Sequence, residues 1–314
     1  MGTLLKSGES FSDHAIAGAA SGCVTRFICQ PLDVVKIRFQ LQVEPIENYR
    51  ISKYRSLTHA FFLIFKEEGI SALWKGFVPA QLLSIVYGIS QFYSYNILMK
   101  VPQEFPLLNK WKYSANFVAG ACAGCIATLV SFPFDTLRTR LVAQSSNHQV
   151  YKGICHSCSS ILLHESPRVF FYGLLPSLIQ IAPHTGLQFA FYRIFTDVYK
   201  KYSNETNINF YNSMIAGSMA GLMSKTVIYP LDLARKRLQI QGFQHGRKGF
   251  GHFFQCNGLL HCLKVTVKVE GVKGLFKGLV PSQLKAAATT ALHFTTYEQS
   301  LLLIKAFKEQ MSKT

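Results

Sequence analysis

Long apolar stretches broken by single polar positions dominate this chain. They predict three pairs of long helices. The first member of each pair runs over 12–39, 111–142 and 210–240, the second over 74–100, 173–200 and 276–304. A short helix falls between the two members, near 54–65, 152–163 and 258–268. Few of the long stretches are unbroken apolar runs of about 20 residues, the usual mark of a spanning helix. Each carries one polar face instead. A helix with lipid on one side and a wet cavity on the other needs such a face, yet must stay long enough to span. The predicted class is an all-α membrane protein with six transmembrane helices.

The same pattern returns three times. Pro31-Leu32-Asp33-Val34-Val35-Lys36-Ile37-Arg38 recurs from Pro133 to Arg140 and from Pro230 to Arg237, so the prolines are 102 and 97 residues apart. A second motif travels with the first. Glu68-Gly69 precedes Trp74-Lys75-Gly76, Glu270-Gly271 precedes Phe276-Lys277-Gly278, and a degraded middle copy has Glu165-Ser166 before Phe171-Tyr172-Gly173. Glycine pairs at i, i+4 (Gly18 and Gly22, Gly120 and Gly124, Gly217 and Gly221) precede each proline and predict close helix approach. The chain therefore divides into repeats over 1–105, 106–205 and 206–314 within one transmembrane domain.

Composition narrows the function. Hydrophobic residues make up 49% and charged residues 16%, too few charges for an ordinary soluble domain. The net charge of +17 would permit a soluble nucleic-acid-binding solenoid, but no 34–47-residue helical repeat and no continuous basic stripe is present. Twenty of the 33 Lys and Arg lie in 36–75, 138–172 and 235–277, the same loop of each repeat. The positive-inside rule keeps that side untranslocated and puts both termini opposite. The opening residues read neither as a secretory signal nor as a myristoylation site. The eight scattered cysteines, including Cys155 and Cys158, read as reduced thiols rather than a metal or disulfide framework. No nucleophile elbow, phosphate loop or zinc helix occurs, and His14, His148, His156 and His261 stand isolated; the chain does not read as an enzyme.

Asp33, Asp135 and Asp232 are each followed three residues on by a base: Lys36, Arg138 and Arg235. An i, i+3 pair on one helix is the plain reading, worth a few tenths of a kcal/mol. Threefold repetition at one depth offers another, a ring in which each acid meets the base of the next unit and closes one end of a cavity. The two motifs together resemble those of the mitochondrial carrier family. That resemblance implies a six-helix bundle of threefold pseudosymmetry, monomeric, in the mitochondrial inner membrane with both termini in the intermembrane space. It implies a matrix gate pairing Asp33 with Arg138, Asp135 with Arg235 and Asp232 with Lys36, braced by Gln40 and Gln239. It also implies cardiolipin at Lys75, Gly76, Gly173, Lys277 and Gly278, where helix N-termini would face phosphate. At the opposite gate the family places an acid after an aromatic residue. Here the pairs are Tyr95-Asn96, Tyr192-Arg193 and Tyr297-Glu298, which predicts a weak gate and leaves room for uniport.

Symmetry breaks at three rows of positions. Five residues before each proline stand Arg26, Thr128 and Lys225. Seven after each motif glycine stand Leu83, Gln180 and Lys285, and eight further on Gln91, Gln188 and His293. A cation buried in a spanning helix costs about 2.5–3.5 kcal/mol or more, so Arg26, Lys225 and Lys285 predict an anionic, phosphorylated ligand. Gln91, Gln180, Gln188, Ser84 and His293 are candidates to hold the rest of it, with Phe92 or Tyr87 stacking on a heterocycle. Leu238-Gln239-Ile240-Gln241-Gly242-Phe243, Gly186-Leu187-Gln188-Phe189 and Trp74 to Gln81 are similar to family members that carry thiamine pyrophosphate. That resemblance implies import of this cofactor into the matrix against nucleotides, with no bound cofactor, no metal and no nucleic-acid partner. Another phosphorylated cofactor or nucleotide on the same frame stays open.

Overall fold

The structure, a computed structural model, describes residues 11–43, 53–100, 112–144, 149–203, 210–243 and 255–313. The expected boundaries at 105 and 205, and His148, lie outside the described residues. Those described form helices and turns, with no strand among them. The first unit contains α1 (Phe11–Leu41), α2 (Leu57–Glu68) and α3 (Phe77–Leu98). The second contains α4 (Lys112–Ala143), α5 (Ile154–His164), and α6 (Leu174–Ile179) leading into α7 (Ile181–Ser203). The third contains α8 (Phe210–Gln239), α9 (Leu259–Gly274) and α10 (Leu279–Lys313).

The second long helix of each unit starts later than the sequence pattern suggests. The Trp-Lys-Gly segment precedes the helix instead of opening it. Ile70–Trp74 makes a tight turn, and Gly76 then takes a left-handed φ of 74° as the N-cap of α3. Gly173 and Gly278 do the same at φ 85° and 84°. These three positions also require glycine for space. A Cβ on Gly173 would stand 2.6 Å from the Arg235 carbonyl oxygen, one on Gly76 3.2 Å from that of Arg138, and one on Gly278 3.1 Å from that of Lys36. Each motif glycine thus presses on the gate segment of the next unit.

Each unit's last long helix lies along the first helix of the next: α3 on α4, α7 on α8, and α10 on α1. The helices α1, α4 and α8 also touch one another, as three rods do around a common axis. All three carry their motif proline internally. Most fully buried apolar side chains, among them Val34, Leu41, Ile64, Val142 and Ile161, gather at this proline end. The opposite, terminal end is looser. A Cβ at Gly18, Gly22, Gly120, Gly124 or Gly221 would meet nothing within 4 Å. At these five positions the close approach expected from the glycine pairs is therefore not made, whereas a Cβ on the sixth, Gly217, would stand 4.0 Å from the Tyr192 ring.

Large apolar residues such as Phe27, Ile28, Ile89, Leu129 and Val227 stay exposed, as a lipid-facing surface requires. Among the described residues, two stretches, Ile70–Leu98 and Val118–Ala143, are long and apolar enough to cross a membrane by composition alone. Charges on the inner faces of the other helices lower their mean hydropathy.

Candidate functional site

Three ion pairs link α1, α4 and α8 at the proline end. Lys36 Nζ lies 2.7 Å from Asp232 Oδ2, Arg235 Nη2 lies 2.8 Å from Asp135 Oδ2, and Arg138 Nη2 donates to Asp33. Each acid meets the base of another unit, so the local i, i+3 alternative is not adopted. Gln40 donates to Asp232 at 3.2 Å and Gln239 donates to Asp135. Val142, where the middle unit lacks a glutamine, is fully buried. Lys236, which sequence reasoning left without a role, adds a second cation to Asp135 at 2.9 Å.

A second ring lies outside the first, and the sequence reading missed it. The last base of each proline motif reaches the glutamate of the second motif in its own unit. Arg38 holds Glu68 through two nitrogens, Arg140 reaches Glu165 at 2.7 Å, and Arg237 reaches Glu270 at 2.5 Å. Each guanidinium also spans to the neighbouring unit. The Nε atoms of Arg38, Arg140 and Arg237 donate to the carbonyls of Val142, Gln239 and Gln40 at 3.3, 3.2 and 3.1 Å. The signal was present in the sequence, since both the arginine and the glutamate recur in all three units.

The lysines of the second motif belong to this ring too. Lys75 donates to Glu68 at 2.6 Å and Lys277 to Glu270 at 2.5 Å; the middle unit has Tyr172 there. These ammonium groups, which the resemblance assigned to lipid phosphate, are thus drawn inward to carboxylates. Burial alone would raise the Glu68 carboxyl, but the hydrogen bonds and charges of Arg38 and Lys75 outweigh it and hold its pKa at about 2.

The cations singled out by broken symmetry divide into two kinds. Lys285 is not a free charge, because its Nζ lies 2.6 Å from Asp33 Oδ1. The reason it looked free is that pairing between α10 and α1 cannot be read from either helix alone. Arg26 donates to the carbonyl of Ala80, and Lys225 donates to that of Ser282 at 3.0 Å. Neither is in an ion pair among the described residues.

Lys225 opens onto a cavity of about 380 Å³, whose walls include Gln180, His184 and Thr185 and whose polar floor is Lys36 and Asp232. His184 and Thr185 were missed by sequence reasoning. His184 stands eleven residues after its motif glycine, where the other units have Tyr87 and Thr289, so it marks a further row of broken symmetry. The cavity does not gather the other candidates. Arg26, Lys285, Ser84, Gln91, Gln188 and His293 lie outside its lining. His293 shares a hydrogen bond of 2.8 Å with Ser21, Ser84 and Gln188 are exposed, and Phe92 is exposed at 73%.

At the terminal end no comparable ring forms among the described residues. Tyr297 bonds His14 at 2.8 Å and Tyr192 bonds Ser213 at 2.7 Å, each on the helix alongside. Neither Arg193 nor Glu298 is in an ion pair among the described residues. Among the described residues the motif charges therefore close a ring at the proline end, and the positions matching them at the other end do not.

A cationic cavity floored by one pair of a cyclic ion-pair lock agrees with what the chain is similar to. The sequence model of the family described as "Mitochondrial carrier protein" matches three times, over residues 7–105, 109–203 and 206–307. The "Mitochondrial thiamine pyrophosphate carrier" of Homo sapiens is 44% identical over 90% of this chain and 89% of its own length. That of Bos taurus is 43% identical over 90% of both chains. The "Mitochondrial thiamine pyrophosphate carrier 1" of Coccidioides immitis is 38% identical over 94% of this chain and 93% of its own. Three family matches covering nearly every residue, on a bundle that closes by charges exchanged between successive units, leave one conclusion: the chain belongs to the mitochondrial carrier family.

Proposed function

We propose that this chain carries thiamine pyrophosphate across the mitochondrial inner membrane into the matrix, in exchange for nucleotides. The observation that carries the reading is Lys225, a cation on the cavity wall that is in no ion pair among the described residues and hydrogen-bonds to a backbone carbonyl. An interior charge of that kind costs free energy until an anion arrives. The names of the relatives supply the identity of that anion. In the form described here the proline end, which would face the matrix, is tied shut. Binding of the diphosphate would weaken the ring, and the units would then rock about the central site to expose it on the other side. The ligand must bind the two forms with different affinity, or it shifts nothing.

The lipid reading has its own support. A groove of about 580 Å³ runs between Gly76, which caps α3, and Gly153, which caps α5, with Lys75 and Lys152 beside it. Two helix N-termini and two lysines suit a lipid diphosphate such as cardiolipin. The protein would act there as a monomer, with both termini in the intermembrane space.

The test is uptake into liposomes. Reconstituted protein should take up labelled thiamine pyrophosphate when nucleotide is loaded inside, and unphosphorylated thiamine should not compete. Lys225→Gln should lower the rate at least tenfold. Uptake of a nucleotide alone, with thiamine pyrophosphate neither carried nor inhibitory, would overturn the reading.

A further inference from the structure

The three ion pairs of the inner ring are not equivalent. Asp33 is held by two cations, Arg138 and Lys285. Asp135 is held by Arg235 and Lys236, with Gln239 donating as well. Asp232 has one cation, Lys36, among the described residues, with Gln40 at its side. Its side chain is also the most open of the three carboxylates, 20% exposed against 7% for Asp33 and 4% for Asp135. Finally, the Lys36–Asp232 pair has both members on the wall of the cavity, and neither of the other two pairs lines it.

That placement gives the pair a chemical choice. A lysine is a point charge with three donors and no fixed fork, so it can trade one carboxylate oxygen for another anion's oxygen at little geometric cost. Lys225 stands on the same cavity wall with no acid to release. His184 stands there too, and its ring can donate to a phosphate oxygen. Lys285 is placed differently, already bound to a buried acid that Arg138 shares.

We propose that this cavity is a diphosphate subsite, in which Lys36 leaves Asp232 for the ligand's terminal phosphate while Lys225 and His184 bind the same group. The Lys36–Asp232 link is then the first of the three to open. The inference rests on the carrier reading above. It moves the anion contact from Lys285, which sequence symmetry favoured, to Lys36.

The experiment is calorimetric titration of the full chain in detergent with two probes, inorganic pyrophosphate and thiamine pyrophosphate, at about 0.15 M salt so that surface charge is screened. Asp232→Asn removes the competing acid and should tighten pyrophosphate about tenfold, as expected when one like charge leaves a close site. Asp33→Asn makes the same change of charge and should leave the affinity within about twofold of wild type. His184→Ala should weaken binding about tenfold, the usual scale for a hydrogen bond to an ionised group. Tightening by Asp33→Asn but not by Asp232→Asn would return the contact to Lys285 and overturn the proposal. Unchanged affinity in His184→Ala would overturn it as well, and that variant decides the matter if Asp232→Asn does not fold, because His184 is outside the ring. Should wild type bind pyrophosphate but not thiamine pyrophosphate, the carrier reading fails and the subsite stands. Should it exchange thiamine pyrophosphate in liposomes while the variants bind pyrophosphate as wild type does, the subsite falls and the carrier reading stands. Wild type that binds neither probe sinks the subsite.

Discussion

The two ends of this bundle are built from the same three repeats and yet behave differently. At the proline end each unit supplies an acid, two bases and a glycine, and every one of them meets a neighbour. At the terminal end the corresponding positions hold Asn96, Arg193 and Glu298, and neither of the two charged residues is in an ion pair among the described residues. A cyclic lock needs all three copies of its motif, because each acid depends on a base from another unit. Loss of the acid in two copies therefore removes the whole ring, not two thirds of it. Adjacent helices at that end are joined by hydrogen bonds such as Tyr192 to Ser213.

The largest expected effect breaks the charged end directly. Asp135 is buried beneath two cations and a glutamine. Asp135→Ala strands those cations, and breaking a buried pair costs about 3–5 kcal/mol. Glu298→Ala, at the terminal end, should change stability by about 0.5 kcal/mol or less. Thermal unfolding in detergent separates the two. Equal effects would mean that the ends are not distinguished by their charges.

Glycine substitutions should change sign between the ends. Gly173→Ala places a methyl 2.6 Å from a carbonyl oxygen at a left-handed φ. The backbone conformation alone costs roughly 1–2 kcal/mol, and the crowding adds about 1–3 more. Gly221→Ala sits in mid-helix with open space around it and should stabilise by about 0.5–1 kcal/mol. The same unfolding measurement reads both, and a destabilised Gly221→Ala would show that the terminal end packs more tightly than its geometry indicates.

How much of this was legible beforehand depends on whether a contact repeats. The pairs Asp33–Arg138, Asp135–Arg235 and Asp232–Lys36 were readable because one spacing occurs three times and a cyclic frame allows few partners. The pairing of Lys75 and Lys277 with glutamates was not readable for the opposite reason. Their motif resembles a phosphate site, but the glutamate seven residues earlier is brought beside them only by the turn at Ile70–Trp74 and its counterparts. Lys285 and His184 could not be placed from sequence. Their partners depend on which face of α10 lies along α1, and of α7 along α8, and side chains a turn apart on one helix look alike until that rotation is fixed.

Acid sharpens the comparison further. Glu68 titrates at about 2 when folded, against an ordinary value of 4.5. A carboxyl depressed in this way contributes stability that is present above about pH 4.5 and is lost as pH falls towards 2. Unfolding temperature should therefore fall between pH 5 and pH 3 in the wild type, and part of that fall should be missing in Glu68→Gln. Parallel curves for the two proteins would show that Arg38 and Lys75 do not hold this proton off.

The smallest effect tests whether the outer ring is additive. The first and third units give their glutamate two cations each, whereas Glu165 has Arg140 and, at 3.2 Å, the Tyr151 hydroxyl. Its side chain is 25% exposed, against 4% for Glu68 and 1% for Glu270. Tyr172→Lys would supply the missing cation and restore the pattern of the other two units. Because Glu165 is partly in water, the new pair should stabilise by at most about 1 kcal/mol. Lys75→Tyr makes the reverse change where the acid is buried, and should cost more than Tyr172→Lys gains. The two effects would be equal only if exposure did not matter, and a double variant carrying both changes should then unfold with the wild type instead of below it.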